Sequence, residues 1–187
     1  MKKLILASGS PRRIEIMKSH KFNPIVIPSD IEEHIPSFLL PCEATMFLAF
    51  SKAMSVKEKC KEAALIIGAD TIVVFDGKIL GKPKDEDNAL DMLLSMSGKK
   101  HQVITGVAIV NSISNNHRCF YETTDVYFKK LPENEIKAYV KTSEPYDKAG
   151  GYGIQGTFAK YTDHFKGDLN NVIGFPWNRF VYEKNLL

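Results

Sequence analysis

The sequence predicts an α/β fold, and three observations carry that prediction over its 187 residues. Leu4 to Ala7 is a short apolar run that Ser8-Gly9-Ser10-Pro11 converts into a helical pattern. Leu65-Ile66-Ile67 has the character of a strand buried on both faces, and so does the longer run from His101 to Val110. Between and beyond them, Pro41 to Cys60 and Asp85 to Gly98 carry helical spacing bounded by helix punctuation. A chain of this length suits one domain, residues 1–187, or two lobes that share a cleft.

Composition narrows the function classes. The 44% hydrophobic content is ordinary for a globular protein and supports a real core. A formal charge of +3 fits an anionic small ligand and is too weak to argue for nucleic acid. No apolar stretch approaches the length of a transmembrane helix. The start, Met1-Lys2-Lys3-Leu4-Ile5-Leu6, mimics a signal peptide, but its apolar run is too short and reads as a strand. Cys42, Cys60 and Cys119 are odd in number and have no paired spacing. They point to a reducing, cytoplasmic setting without a disulfide framework or a zinc site. The five histidines show no spacing that suits a transition metal.

In chain order, the first strand is followed by Ser10 as a helix N-cap and Pro11 at the first helical position. Arg12 and Arg13 then occupy the first turn, where cations oppose the helix macrodipole. Two arginines beside free backbone N–H groups and two serine hydroxyls suit an anion such as phosphate. The pattern is not a Walker A loop. Phe22 to Pro28 reads as a second strand. Ser29 to His34 carries three acidic residues and reads as a solvated loop, one that becomes a metal-ligand candidate only through a position near the phosphate site.

Phe47, Phe50 and Met54 fall on one stripe of the Pro41 helix and predict its buried face, with Lys52 off that stripe. Gly68-Ala69-Asp70-Thr71 follows the Leu65 run and is read as its end, which leaves Asp70 between two strands. An aspartate beside glycine also fits a turn residue that bonds its own backbone. Thr71 to Phe75 and Lys78 to Leu80 form a hairpin about Asp76-Gly77, a pair suited to positive φ at both positions. Gly81-Lys82-Pro83 then breaks the pattern. Asp85 caps the next helix and Gly98 stops it.

Asn111 to Asn116 is turn chemistry, and Cys119 to Phe128 is a returning strand. Pro132 opens a short helix with Ile136, Tyr139 and Val140 inward. Tyr146 to Gly156 is glycine-rich, allowing close backbone approach, and within it Gln155 offers an amide able to read a base edge. Asp168 to Pro176 leads to a final helix with Trp177, Phe180 and Val181 expected inside.

The segments Leu6-Ala7-Ser8-Gly9-Ser10-Pro11-Arg12-Arg13, Gly68-Ala69-Asp70-Thr71, Gly81-Lys82-Pro83 and Asp147-Lys148-Ala149-Gly150 with Gly153-Ile154-Gln155-Gly156 resemble the Maf family of nucleoside-triphosphate pyrophosphatases. Glu32-Glu33, Ser51-Lys52-Ala53, His101-Gln102-Val103 and Gly174-Phe175-Pro176 extend the match along almost the whole chain. The resemblance implies a strongly bent mixed sheet with flanking helices, two lobes around a cleft, and kinship with the inosine-triphosphatase fold. It also implies hydrolysis of a nucleoside triphosphate to monophosphate and pyrophosphate, a house-cleaning reaction assisted by Mg²⁺ or Mn²⁺.

By the same resemblance, Asp70 is the catalytic base, and Arg12, Thr71 and Gln155 are linked to substrate choice. Ser8, Arg13, Glu33, Lys52 and Lys82 match other cleft positions, with Glu33 and Asp70 as metal ligands. The Asp147 to Gly156 segment resembles the branch acting on dTTP and UTP. The chain departs from some members of that branch at Gly81, where they carry Glu. The implied partner is the nucleotide, with no nucleic acid and no membrane, and with room for a homodimer. A nucleotide-binding regulator without turnover, for instance one acting in cell division, and the branch acting on 7-methyl-GTP are the competing readings. Chemically, attack of water on a phosphorus needs a base and cations on the departing pyrophosphate.

Overall fold

The computed structural model describes residues 3–114 and 116–187. Met1, Lys2 and Asn115 lie outside the described residues, so expectations for the start of the chain and for the Asn111 to Asn116 turn apply here only to their neighbours. The strands are β1 (Lys3–Leu6), β2 (Ile25–Val26), β3 (Ala64–Phe75), β4 (Lys78–Leu80), β5 (Lys100–Asn111), β6 (His117–Phe128) and β7 (Thr162–Lys166). The helices are α1 (Pro11–Ser19), α2 (Pro41–Lys59), α3 (Glu86–Ser95), α4 (Glu133–Tyr139), α5 (Leu169–Ile173) and α6 (Trp177–Lys184). Seven strands form one open mixed sheet in the order β2-β1-β3-β5-β6-β7, with β4 paired to β3. The α/β class is therefore as predicted.

The chain divides into two compact units. One contains the chain through Thr71, Thr105–Glu122 and Gly174–Leu187. The other contains Ile72–Ile104 and Thr123–Ile173.

In the first unit β1 runs parallel to β2 and to β3, with Ile5 opposite both Ile25 and Ile66. β1 lies inside the sheet, where its Ile5 and Leu6 are buried while Lys3 at its start is exposed. The helix α2 packs Ala44, Thr45, Leu48, Ala49, Lys52, Ala53 and Val56 inward. This corrects the predicted stripe: Phe47 is exposed, and Phe50 and Met54 are only half-buried.

The cause lies in the sheet. A Cβ on Gly68 would enter the Ala49 carbonyl, and one on Gly106 would enter the backbone at Thr45 and Met46. Two strand glycines thus let α2 lie close against β3 and β5. Phe50 is left to pack against the His117 ring, 5.0 Å away. In α6, Trp177 and Phe180 are buried as predicted, but Val181 is half-buried and Glu183 takes the inner place. Arg118 and Arg179 compensate that carboxylate, at 2.6 and 2.8 Å.

In the second unit the Asp76-Gly77 turn has φ of 49° and 72°, and Val73 pairs with Leu80 across the hairpin. Asp85 accepts from the Asn88 N–H at 2.8 Å, the predicted cap of α3. The core includes Leu93, Met96, Val126, Phe128, Ile136 and Phe158. The histidine His101 sits in this aromatic core, its Nε2 2.6 Å from the Tyr152 hydroxyl.

Strand β7 is absent from the sequence reading. It pairs antiparallel with β6 and is largely exposed, so Thr162-Asp163-His164-Phe165-Lys166 carries no apolar run to reveal it. The glycine-rich segment is also clarified. Gly150 and Gly151 have φ near 70°, and side chains there would press on Val73 and Pro83. Their freedom serves packing as well as loop shape. No helix among the described residues is long and apolar enough to cross a membrane. The three cysteines are free.

Candidate functional site

Gly68 does not end a strand, and Asp70 is not in a turn. Residues 64–75 form one continuous strand with Asp70 at its middle and buried. Sequence reasoning took glycine as punctuation, whereas here it makes room for α2. Alternation along the strand then separates neighbours. Gly68 and Asp70 share the side that faces α2, and Thr71 lies on the opposite side.

On the α2 side, Lys52 Nζ is 2.7 Å from Asp70 Oδ1 and 2.7 Å from Glu33 Oε1. Lys52 and Asp70 are both nearly enclosed, while Glu33 is half exposed on its loop. One ammonium therefore gathers two carboxylates from elements far apart in sequence. Removing one member of a buried pair typically costs about 3–5 kcal/mol, because the other charge stays desolvated. This arrangement turns Lys52, read as off the apolar stripe, into the residue of α2 that meets the site.

On the other side, Arg13 gathers three groups. Its Nη1 donates to Ser8 Oγ at 3.0 Å and its Nη2 to Thr71 Oγ1 at 3.0 Å. Its Nε donates to the Gly174 carbonyl at 2.9 Å. Thr71 Oγ1 lies in turn 2.9 Å from Thr105 Oγ1. Burial lowers the Arg13 pKa from its ordinary value, as does the Arg12 charge next to it, while Asp70 and Glu33 act against the shift. Ser10 stands at the N-cap of α1 without a side-chain cap bond. Ser8 instead accepts the Ser10 N–H at 3.3 Å. Arg12 is half-buried in the first turn of α1, as the sequence predicts.

Of the predicted residues, the structure thus joins Ser8, Arg13 and Thr71 in one group and Glu33, Lys52 and Asp70 in another. Lys82 and Gln155 belong to the second unit, and both are exposed. Their loops are tied together there, because the Gly150 N–H donates to the Gly81 carbonyl at 2.9 Å. Thr105 and the Gly174 carbonyl escaped the sequence reading. Thr105 was legible only as a polar residue inside an apolar strand, and a backbone carbonyl leaves no signature.

The donor set around Lys52 is oxygen only. Among the described residues no group of three or more His, Cys, Asp or Glu forms a ready metal cage. Two convergent carboxylates nonetheless suit Mg²⁺, which keeps several waters and takes one or two carboxylates plus substrate phosphates. Glu33 and Asp70 fit that requirement.

A family model described as Maf-like protein matches residues 3–183. A Bacillus cytotoxicus protein named dTTP/UTP pyrophosphatase is 47% identical over 98% of this chain and 94% of its own length. A Bacillus cereus protein of the same name is 45% identical over the same shares. Among solved structures, a HAM1 protein from Coxiella burnetii superposes with a TM-score of 0.49 at 15% identity, covering 71% of this chain and 75% of its own. With a match across nearly the full length and close to half the residues shared, the chain belongs to the Maf family.

Proposed function

We propose that the protein hydrolyses UTP and dTTP to the nucleoside monophosphate and pyrophosphate. Support comes from the relatives named dTTP/UTP pyrophosphatase, which match this chain over 98% of its length. The observation that carries the chemistry is Asp70, a buried carboxylate held against an ammonium in the middle of a strand. A stability-driven sequence would place an apolar residue there.

In this reading Asp70 orients the attacking water and accepts its proton. Lys52 fixes Asp70 and Glu33 in place and offsets their mutual repulsion. Glu33 and Asp70 would hold Mg²⁺ or Mn²⁺, which when bound neutralises charge developing on the phosphates. Arg12 and Lys82 supply cations for the departing pyrophosphate. Arg13 places Ser8 and Thr71, and Ser8 carries a hydroxyl at the start of α1, where backbone N–H groups suit an anion. Gln155 presents a donor and an acceptor to the O4 and N3–H edge of uracil or thymine. We place its action in the cytoplasm, in keeping with a nucleotide substrate of this kind.

Product analysis tests the proposal. UTP or dTTP with Mg²⁺ should give monophosphate and pyrophosphate in equal amounts, and chelation should stop the reaction. Diphosphate with orthophosphate would overturn it. Tight nucleotide binding without turnover would favour a regulator, and 7-methyl-GTP as the best substrate would reassign the base.

A further inference from the structure

We infer that Glu144 is a positioning residue for base selection: it fixes the turn that carries Gln155 before the nucleotide arrives. The inference rests on the reading above in which Gln155 meets the base. Gln155 is exposed, so the direction of its amide depends on the backbone at either side. The next residue, Gly156, has φ of 86° and ψ of −153°, a conformation open in practice to glycine alone. Glu144 closes on this point. The Thr157 hydroxyl donates to its Oε2 at 2.5 Å, and a Cβ on Gly156 would meet its Oε1 at 3.0 Å. The other end of the turn is held through the same residue. Lys148 Nζ donates to the Glu144 carbonyl at 2.6 Å and pairs with Asp147 at 2.5 Å. The Lys148 stem then lies against Gly153, where a Cβ would come within 3.0 Å of Cε. That Cβ would also stand 3.1 Å from the Gln155 carbonyl, so residues 153–155 turn back closely on themselves.

Glu144 is itself anchored to the core of the second unit. Its N–H donates to Thr142 Oγ1 at 3.3 Å, and that hydroxyl donates to the Tyr139 carbonyl at 2.8 Å, at the end of α4. The Tyr146 hydroxyl donates to the Val140 carbonyl at 2.6 Å, and Tyr139 and Val140 are both buried in the core. Gln155, Gly156 and Thr157, by contrast, are all exposed. A contact to exposed residues contributes little to global stability. Its effect is local order: a turn that is ordered beforehand need not be ordered when the ligand binds. That benefit reaches a base that Gln155 can pair with and is lost on one that it cannot. Loss of the brace therefore belongs in KM and in the choice of base, rather than in kcat.

The test combines Thr157→Val, Thr157→Ser, Glu144→Ala, Gln155→Ala and the Thr157→Val/Gln155→Ala double variant. Turnover of UTP and CTP is measured beside Tm and the Kd of non-hydrolysable UTP and CTP analogues. Thr157→Val should raise KM for UTP and Kd for its analogue about 3- to 10-fold, the cost of ordering one side chain and its turn, with kcat within about 2-fold. KM for CTP should move by less than about 2-fold, so the preference for UTP falls. Glu144→Ala should reproduce these changes, and Thr157→Ser should restore the original values. The double variant should be no worse than Gln155→Ala alone, since the brace acts only through Gln155. An unchanged preference, equal losses on UTP and CTP, losses that add to those of Gln155→Ala, or no rescue by serine would overturn the inference. A lowered Tm with the preference unchanged would overturn it too, by assigning Glu144 a purely structural role. Should Glu144→Ala not fold, the Thr157 variants decide. If Gln155→Ala leaves the preference unchanged, the inference fails while the hydrolysis proposed above stands. Absence of UTP and dTTP hydrolysis in the unmodified protein would overturn the proposed function, and the two Kd values then decide the inference alone. No binding of either analogue would overturn both.

Discussion

Lys52 and Asp70 form a nearly enclosed ion pair, Nζ to Oδ1 at 2.7 Å, between a helix and the strand beneath it. The pair exists because Gly68, two residues before Asp70 on the same side of β3, lets α2 come close. Site chemistry and helix–sheet distance are therefore coupled through one glycine.

Asp70→Asn should leave a folded protein that has lost turnover. Removing a positioned base and oxygen ligand should lower kcat by about two to four orders of magnitude. Near-normal kcat in a folded variant would take Asp70 out of the mechanism. Glu33 remains against Lys52 in this variant, so the ammonium keeps one compensating carboxylate.

Gly68→Ala should destabilise by more than about 2 kcal/mol, because the added Cβ meets rigid helix backbone rather than a movable side chain. Gly81→Ala is the control, since nothing lies within 4 Å of its built Cβ. That change should stay within about 0.5 kcal/mol of the unmodified protein. Chemical denaturation of both variants decides the matter; equal effects would show that α2 does not depend on Gly68.

Stability should fall as pH is lowered from 6.5 towards 4, through His101. Burial pushes this imidazole down from 6.5 to about 4, with Asp125 acting against the shift. Its Nδ1 has no hydrogen-bond partner among the described residues. Between those values the unfolded chain binds a proton that the folded protein does not, so stability rises with pH and is complete above 6.5. The loss at the acid end is on the order of 3 kcal/mol. His101→Phe should flatten the stability profile across that window, and an unchanged slope would assign the acid sensitivity to other groups.

Gln155→Ala should erode the preference for UTP and dTTP over CTP more than it slows cleavage. A base-reading amide leaves polar groups unpaired when the base is wrong, which discriminates by a larger factor than an apolar pocket. Gln155 is exposed, so the variant should keep its Tm. Kinetics on UTP, dTTP and CTP supply the check: an unchanged ranking would move base selection elsewhere.

Local sequence determined a good part of this protein. The Asp76-Gly77 hairpin, the Asp85 cap, Pro11 at the start of α1 and the polar Asn111 turn depend on a few covalent neighbours, and each is where the sequence places it. The ordered motifs from Ser8 to Gln155 sufficed to recognise the family and, with it, the reaction proposed here. What only the tertiary structure decided is which faces meet. The buried side of α2 follows from Gly68 and Gly106, on two strands distant in sequence, and not from the helix's own phenylalanines. Glu183 is inside because Arg118 and Arg179 arrive from β6 and α6. Strand β7 exists because β6 offers it an edge. Arg13 and Thr105 meet at the Thr71 hydroxyl from elements distant in sequence. Periodicity reports how each segment prefers to turn its apolar atoms. The distance between segments is set by the smallest residues at their contact, and those act on partners that no local window contains.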